Sequence, residues 1–328
     1  MMWLQNPPAT HGTDDEGVRV TDTQSTLLRH TDAVGESDEN ERAESDARWQ
    51  HLANALGVTP RSAPLRRWVQ SPNAGHLSGL VWGASKPEVV LVHDLGDSSN
   101  GWDAVAIASG RDIVALDLAG HGRSSAAKSL APPSRQAPGL VDAVRSLAPT
   151  ARLVVATGLG AAVAIHAAIK RPASIRALLV VDGGAVASGI HPLVDDAGFA
   201  DVDEAARRLS SAAPRRNPGF VRHLARETTT PSGNGGLEWR YQLGGVPDEA
   251  ASWSSVDHLA ELSIPIAVVT ADATTVVDPI VSSILQRWPD TRRVTIGCPS
   301  TDLIGGSPVG VARAIDTYLE QLEGGAAS

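Results

Sequence analysis

From Arg67 onward the chain alternates between two patterns. The segments "HLSGLVWG", "EVVLVHDLG", "DIVALDLAG", "RLVVAT", "IRALLVVDGG", "IPIAVVTAD" and "RRVTIG" are short apolar runs, most of them ended by Gly or Asp, and read as strands. Continuous apolar runs of this kind predict a mostly parallel sheet covered by helices on both faces, an α/β fold. Between Val181 and Ile264 the alternation breaks. There the polar, Arg-rich "DEAARRLSSAAPRRNPGFVRHLARE" and the Gly-rich "PSGNGG" predict a helical cap inserted in the sheet domain, from Gly189 to about His258. A short helix around "ARWQHLANALG" is expected to open the folded part, taken as residues 46–328.

Composition adds a boundary to this picture. Residues 1–50 hold eleven Asp/Glu against four Arg, which is −7 of the total −9. Such a segment buries too little apolar surface to offset its ordering entropy, so residues 1–45 are expected to be a disordered acidic tail. No basic stripe suggests nucleic acid, and no apolar run approaches the roughly 20 residues that span a bilayer. The first residues have neither the basic start nor the apolar stretch of a secretory signal, so a cytoplasmic location is expected. With a single cysteine, Cys298, no internal disulfide is possible, and no cofactor is implied.

The candidate chemistry lies in "VVATGLGAAVAIHAAIKRP", Val154 to Pro172. A β-branched run, a small-residue turn and an Ala-rich run read as strand, turn and helix. A nucleophile elbow of pattern G-x-S-x-G has this form, with its serine on the strained turn. Here the five positions are Ala156, Thr157, Gly158, Leu159 and Gly160, so a glycine stands where the nucleophile is expected.

The succession "LVHDLGDSSNGWDAVA", "VALDLAGHGRSS", "VVATGLGAA", "LLVVDGG" and "PIAVVTADATTVVD" resembles the α/β-hydrolase superfamily, especially its actinobacterial esterase-like members. The resemblance covers roughly residues 65–322. Its most specific piece is "DLAGHGRSS", Asp117 to Ser125, which is similar to the family's D-x-x-G-x-G-x-S loop. That family uses a serine nucleophile, a histidine, a carboxylate and backbone N–H groups aimed at an oxyanion. Carried over by motif, the nucleophile position is Gly158. The acid position is Ala273, or Asp272 or Thr274 with a one-residue slip, and Asp278 would serve only if its loop folds back. The histidine position is Thr301. No register alters that last reading, because no histidine follows His258. The family's His-Gly pair reads His93-Asp94, which sets a carboxylate beside Leu95, whose N–H together with that of Leu159 would form the oxyanion hole.

The neighbouring residues have plainer readings. Thr157 is expected to satisfy a backbone group rather than react, and His93 and His121 to hold loops. His166 reads as a core histidine, and Asp182 as an acid with no histidine to orient. Two functional classes stay open. One is a protein of this fold without hydrolytic machinery, keeping a small-molecule pocket (His93, Asp94, Leu95, Thr157, Gly158, Leu159) or a protein-binding surface. The other is an active enzyme with a reorganised site in which His93 and Asp94 act as an acid/base pair. A buried, filled cleft at Gly158 favours the first.

Overall fold

The structure is a computed structural model that describes residues 36–59, 62–83, 86–183, 198–233, 235–240, 259–272, 278–298 and 302–324, with side chains from Ser45 on except Ala212. The chain divides into two units, residues 1–44 and 45–328. Helix α1 spans Glu36–Leu56, so its described part reaches into the segment expected to form the acidic tail. Residues 1–35 lie outside the described part.

Every apolar run named above forms a strand. An additional strand, β1 (Leu65–Ser71), precedes them and pairs antiparallel with β2 (Gly75–Trp82). The sequence hid β1 because it lies at a sheet edge, where "LRRWVQS" keeps Leu65 and Trp68 about half exposed and needs no continuous apolar run. Then follow β3 (Val89–Val92), α2 (Asp103–Ser109), β4 (Ile113–Leu116), α3 (Pro133–Leu147), β5 (Leu153–Ala156), α4 (Gly158–Lys170) and β6 (Leu178–Val181). The expected cap is described in part: α5 (Val202–Ala212), α6 (Pro218–Thr228) and the small hairpin β7 (Thr229–Pro231) and β8 (Leu237–Trp239). Residues 189–197 and 241–258 of that cap lie outside the described residues. The sheet resumes with β9 (Ile266–Ala271), α7 (Pro279–Arg287) and β10 (Arg292–Ile296), and the chain ends in α8 (Leu303–Gly306) and α9 (Pro308–Gly324).

The eight strands lie in the order β1-β2-β4-β3-β5-β6-β9-β10, parallel from β4 through β10. Successive side chains of each strand enter opposite faces. Leu91, Val155 and Val269 join a core with Trp49, Trp102 and the buried residues of α2 and α9; Val90, Val154 and Val268 join one with α3, α4 and α7. This double burial is why the strands read as unbroken apolar runs. The connection that leaves β3 runs to β4 on one side and the connection that leaves its neighbour β5 runs to β6 on the other, so the chain direction reverses between β3 and β5. Open α/β sheets place their ligand crevice at the carboxyl ends of such strands.

Candidate functional site

The register between β3 and β5 decides which residues meet there. Val92 is opposite Ala156, so two residues beyond each strand Asp94 comes against Gly158. Gly158 opens α4 at φ +48°, the left-handed region, and is buried. Leu159 donates its backbone N–H to Asp94 Oδ1 at 2.6 Å. A Cβ on Gly158 would fall within 2.5 Å of all three carboxylate atoms of Asp94. Asp94 and a side chain at residue 158 therefore compete for one volume. Gly160 has a different reason: a Cβ there would lie 2.7 Å from Val92 O, so the second glycine lets α4 approach β3 closely.

Two further carboxylates converge on the same turn. Asp278 caps α7 by accepting from Ile280 N at 2.7 Å, and its other oxygen accepts from Gly158 N at 3.3 Å. Its own N–H donates to Asp182 Oδ1 at 2.8 Å. Asp278 thus reaches the site from well beyond the expected acid position. Burial, then the neighbouring Asp94 carboxylate, pushes the Asp278 carboxyl up to about 7. The Asp278-Pro279 pair was a legible helix start, an N-cap residue followed by proline at the first helical position, but no local signal says that its second oxygen turns toward Gly158. Ala273, Thr274 and Thr301 lie outside the described residues. Asp272, the other acid candidate, uses its backbone N–H to bond Ile296 O at 2.8 Å.

All six residues of the candidate pocket are buried. His93 is fully so, and backbone groups engage both of its ring nitrogens: Nδ1 lies 2.6 Å from Asp94 O, and Nε2 accepts from Leu118 N at 3.0 Å. The second bond makes Nε2 an acceptor and therefore places the proton on Nδ1. His93 stacks obliquely on His121, with ring centroids 4.9 Å apart. Burial first, then His93, holds His121 well below the ordinary histidine range, and its Nδ1 lies 3.1 Å from Ala119 O. The side chains of Leu95 and Leu159 join the apolar core on the α4 face. Thr157 departs from expectation. Its hydroxyl is buried, has no hydrogen-bond partner among the described residues, and does not cap α4. His166 is half-buried rather than a core residue.

The loop "DLAGHGRSS" holds its shape through Asp117. That carboxylate accepts from Ser99 N at 2.7 Å and Arg123 N at 3.1 Å and pairs with Arg66 at 3.0 Å, while Ser124 Oγ donates to Asp117 O at 2.7 Å. Beside the expected histidine loop, Asp302 caps α8 and pairs with Arg216 of the cap, Nε to Oδ2, at 2.5 Å. No sequence pattern links residues so far apart. The cap is also tied down by His223 on Asp103, 2.8 Å apart. Burial raises the Asp103 carboxyl to about 6, against the opposing hydrogen bonds from His223 and Asn100.

A mostly parallel, doubly covered sheet with a cap over its switch point and a strand–turn–helix elbow defines an α/β-hydrolase-fold protein. The chain matches the alpha/beta hydrolase family over residues 89–314 and belongs to it. Among curated proteins it is 31% identical over 215 residues to Esterase Rv0045c of Mycobacterium tuberculosis, covering 61% of this chain and 71% of that one. The crystal structure of that esterase superposes with a TM-score of 0.68 at 26% identity, covering 84% of this chain and 98% of that one. E-2-(acetamidomethylene)succinate hydrolase superposes with a TM-score of 0.65 at 20% identity, over 78% of this chain and 99% of that one, a likeness of fold. Among the described residues no helix is long and apolar enough to cross a membrane.

Proposed function

We propose that this member of the family carries no Ser-His-Asp hydrolysis and works by binding a small molecule or a protein partner. One observation carries the reading: the Asp94 carboxylate accepts the Leu159 N–H in the volume that a side chain at residue 158 would need. Family resemblance makes residue 158 the nucleophile position and Leu159 N–H an oxyanion donor. Here the first has no side chain, and the second already binds a negative charge built into the chain. A substrate oxyanion would have to displace that carboxylate and would be repelled by it, which works against the electrostatic contribution that usually dominates acyl transfer. The absence of any histidine after His258 removes the usual proton acceptor from the last loop.

The similarity to Esterase Rv0045c favours a second reading, ester hydrolysis by a reorganised site. Against His93 and Asp94 as its acid/base pair, His93 is buried with both ring nitrogens engaged by backbone, and Asp94 is spent on Leu159. One assay separates the readings. The purified chain is expected to resist fluorophosphonate labelling and to turn over p-nitrophenyl esters no faster than a surface-matched control protein. Covalent labelling mapped to Ser98, Ser99 or Thr157 would establish the second reading.

A further inference from the structure

Away from Gly158, the cap hairpin and the loops after β3 and β4 enclose a small half-open recess of about 20 Å³. A cavity needs ~10–15 Å³ of such space to hold one water, so the recess has room for a water-sized polar group at its inner end. Ser98, Arg123, Glu227, Trp239 and Arg240 line it, together with Asp97. Trp239 is only 8% exposed, its ring packed edge-on against Phe199, yet its indole Nε1 has no hydrogen-bond partner among the described residues. The buried Nε of Arg240 has none either. Both atoms are donors only, so neither can satisfy the other. Buried donors are nearly always paired in folded proteins, and both residues that carry these unpaired donors line the recess.

Charge points the same way. Arg123 and Arg66 repel Arg240, and with burial as the larger cause they hold its guanidinium below the usual range, while Glu227 opposes them. Arg66 is neutralised by Asp117; Arg123 has an exposed side chain. The carboxylates nearby are turned to other work. Glu227 lies 3.8 Å from Arg48, and Asp97 accepts from Ser98 N at 2.7 Å.

We propose that this recess binds a small oxyanion, the carboxylate or phosphate head of a small molecule, through Trp239 Nε1–H, Arg240 Nε–H and the guanidinium of Arg123. Planar guanidinium forks suit both head groups. The site stands apart from the elbow and does not depend on whether residue 158 reacts.

The test titrates the full chain with inorganic phosphate and, separately, with acetate, at ionic strength held constant with sodium chloride. Thermal midpoint is the readout. A ligand of the folded state raises the midpoint saturably. The expected result is a saturable rise with at least one anion, phosphate or acetate identifying the head group by giving the tighter apparent Kd. Arg123→Ala, a surface change that leaves the fold intact, is expected to weaken that Kd about tenfold or more, the loss typical of a charged hydrogen bond. Trp239→Phe deletes the N–H while keeping an aromatic ring against Phe199, and is expected to weaken it about threefold or more. Arg152→Ala, remote from the recess and paired with Glu88 and Glu323, is expected to leave it unchanged. No saturable rise with either anion overturns the proposal. So does a rise that Arg123→Ala leaves as it was.

Discussion

Gly158→Ser restores the side chain that the elbow lacks, and its cost follows from two terms. At φ +48° a residue with a Cβ is strained by roughly 1–2 kcal/mol. The new Cβ also lands within 2.5 Å of the Asp94 carboxylate, so Asp94 must leave and its 2.6 Å bond from Leu159 N is lost. A hydrogen bond to a charged group is worth about 1.5–3 kcal/mol. Together these put the single substitution at about 2.5–5 kcal/mol destabilising. Asp94→Gly empties the same volume from the other side and strips the same N–H, at about 1.5–3 kcal/mol. In the double variant the serine occupies space that Asp94 no longer fills, and the Leu159 bond is lost once instead of twice. Its cost is therefore expected to fall short of the sum of the singles by about 1.5–3 kcal/mol. Urea unfolding followed by tryptophan fluorescence measures all four proteins, with equal m-values required for the comparison. Singles that add to the double within about 0.5 kcal/mol would refute the shared volume. The double variant is also expected to show no esterase activity, since a serine with no base is a weak nucleophile.

The Asp278 carboxyl, raised from 3.8 to about 7, keeps a proton in the folded state that the unfolded chain has already released. That contribution is fully present below the unfolded pKa and is lost as pH rises from about 4 to about 7, at up to about 1.4 kcal/mol per pH unit; Asp103, raised to about 6, adds to the same decline. Asp278→Asn is expected to flatten the fall of urea-unfolding stability across that window, and an unchanged slope would show that Asp278 is not the group responsible. Trp49 is 5% exposed, packs edge-on against Trp82 with centroids 6.1 Å apart, and contacts His223 at 4.7 Å. Trp49→Ala is expected to cost about 3–5 kcal/mol in the same unfolding assay, and a loss under about 1 kcal/mol would mean that α1 contributes little to the core.

The strands were legible because a strand buried on both faces must be apolar at nearly every position, and that requirement is written locally. The same holds for the elbow. A β-branched run, a Gly-rich turn and an Ala-rich run are enough to place Gly158 at the start of α4, and that no histidine follows His258 is read directly from the chain. Strand β1 was not legible, since an exposed edge tolerates the charged residues that mask it.

The sequence determined which residues are present at the turn, including the carboxylate at position 94. Only the tertiary structure decided what that carboxylate does. Strands β3 and β5 are far apart in the chain but adjacent in the sheet, and their register alone brings Asp94 Oδ1 to Leu159 N. The return of Asp278 to Gly158, the meeting of Arg216 with Asp302, and the two orphan donors of Trp239 and Arg240 on one recess have the same origin. Local preferences act over a few residues, whereas contacts across neighbouring strands and between cap and sheet exist only once the chain has closed on itself.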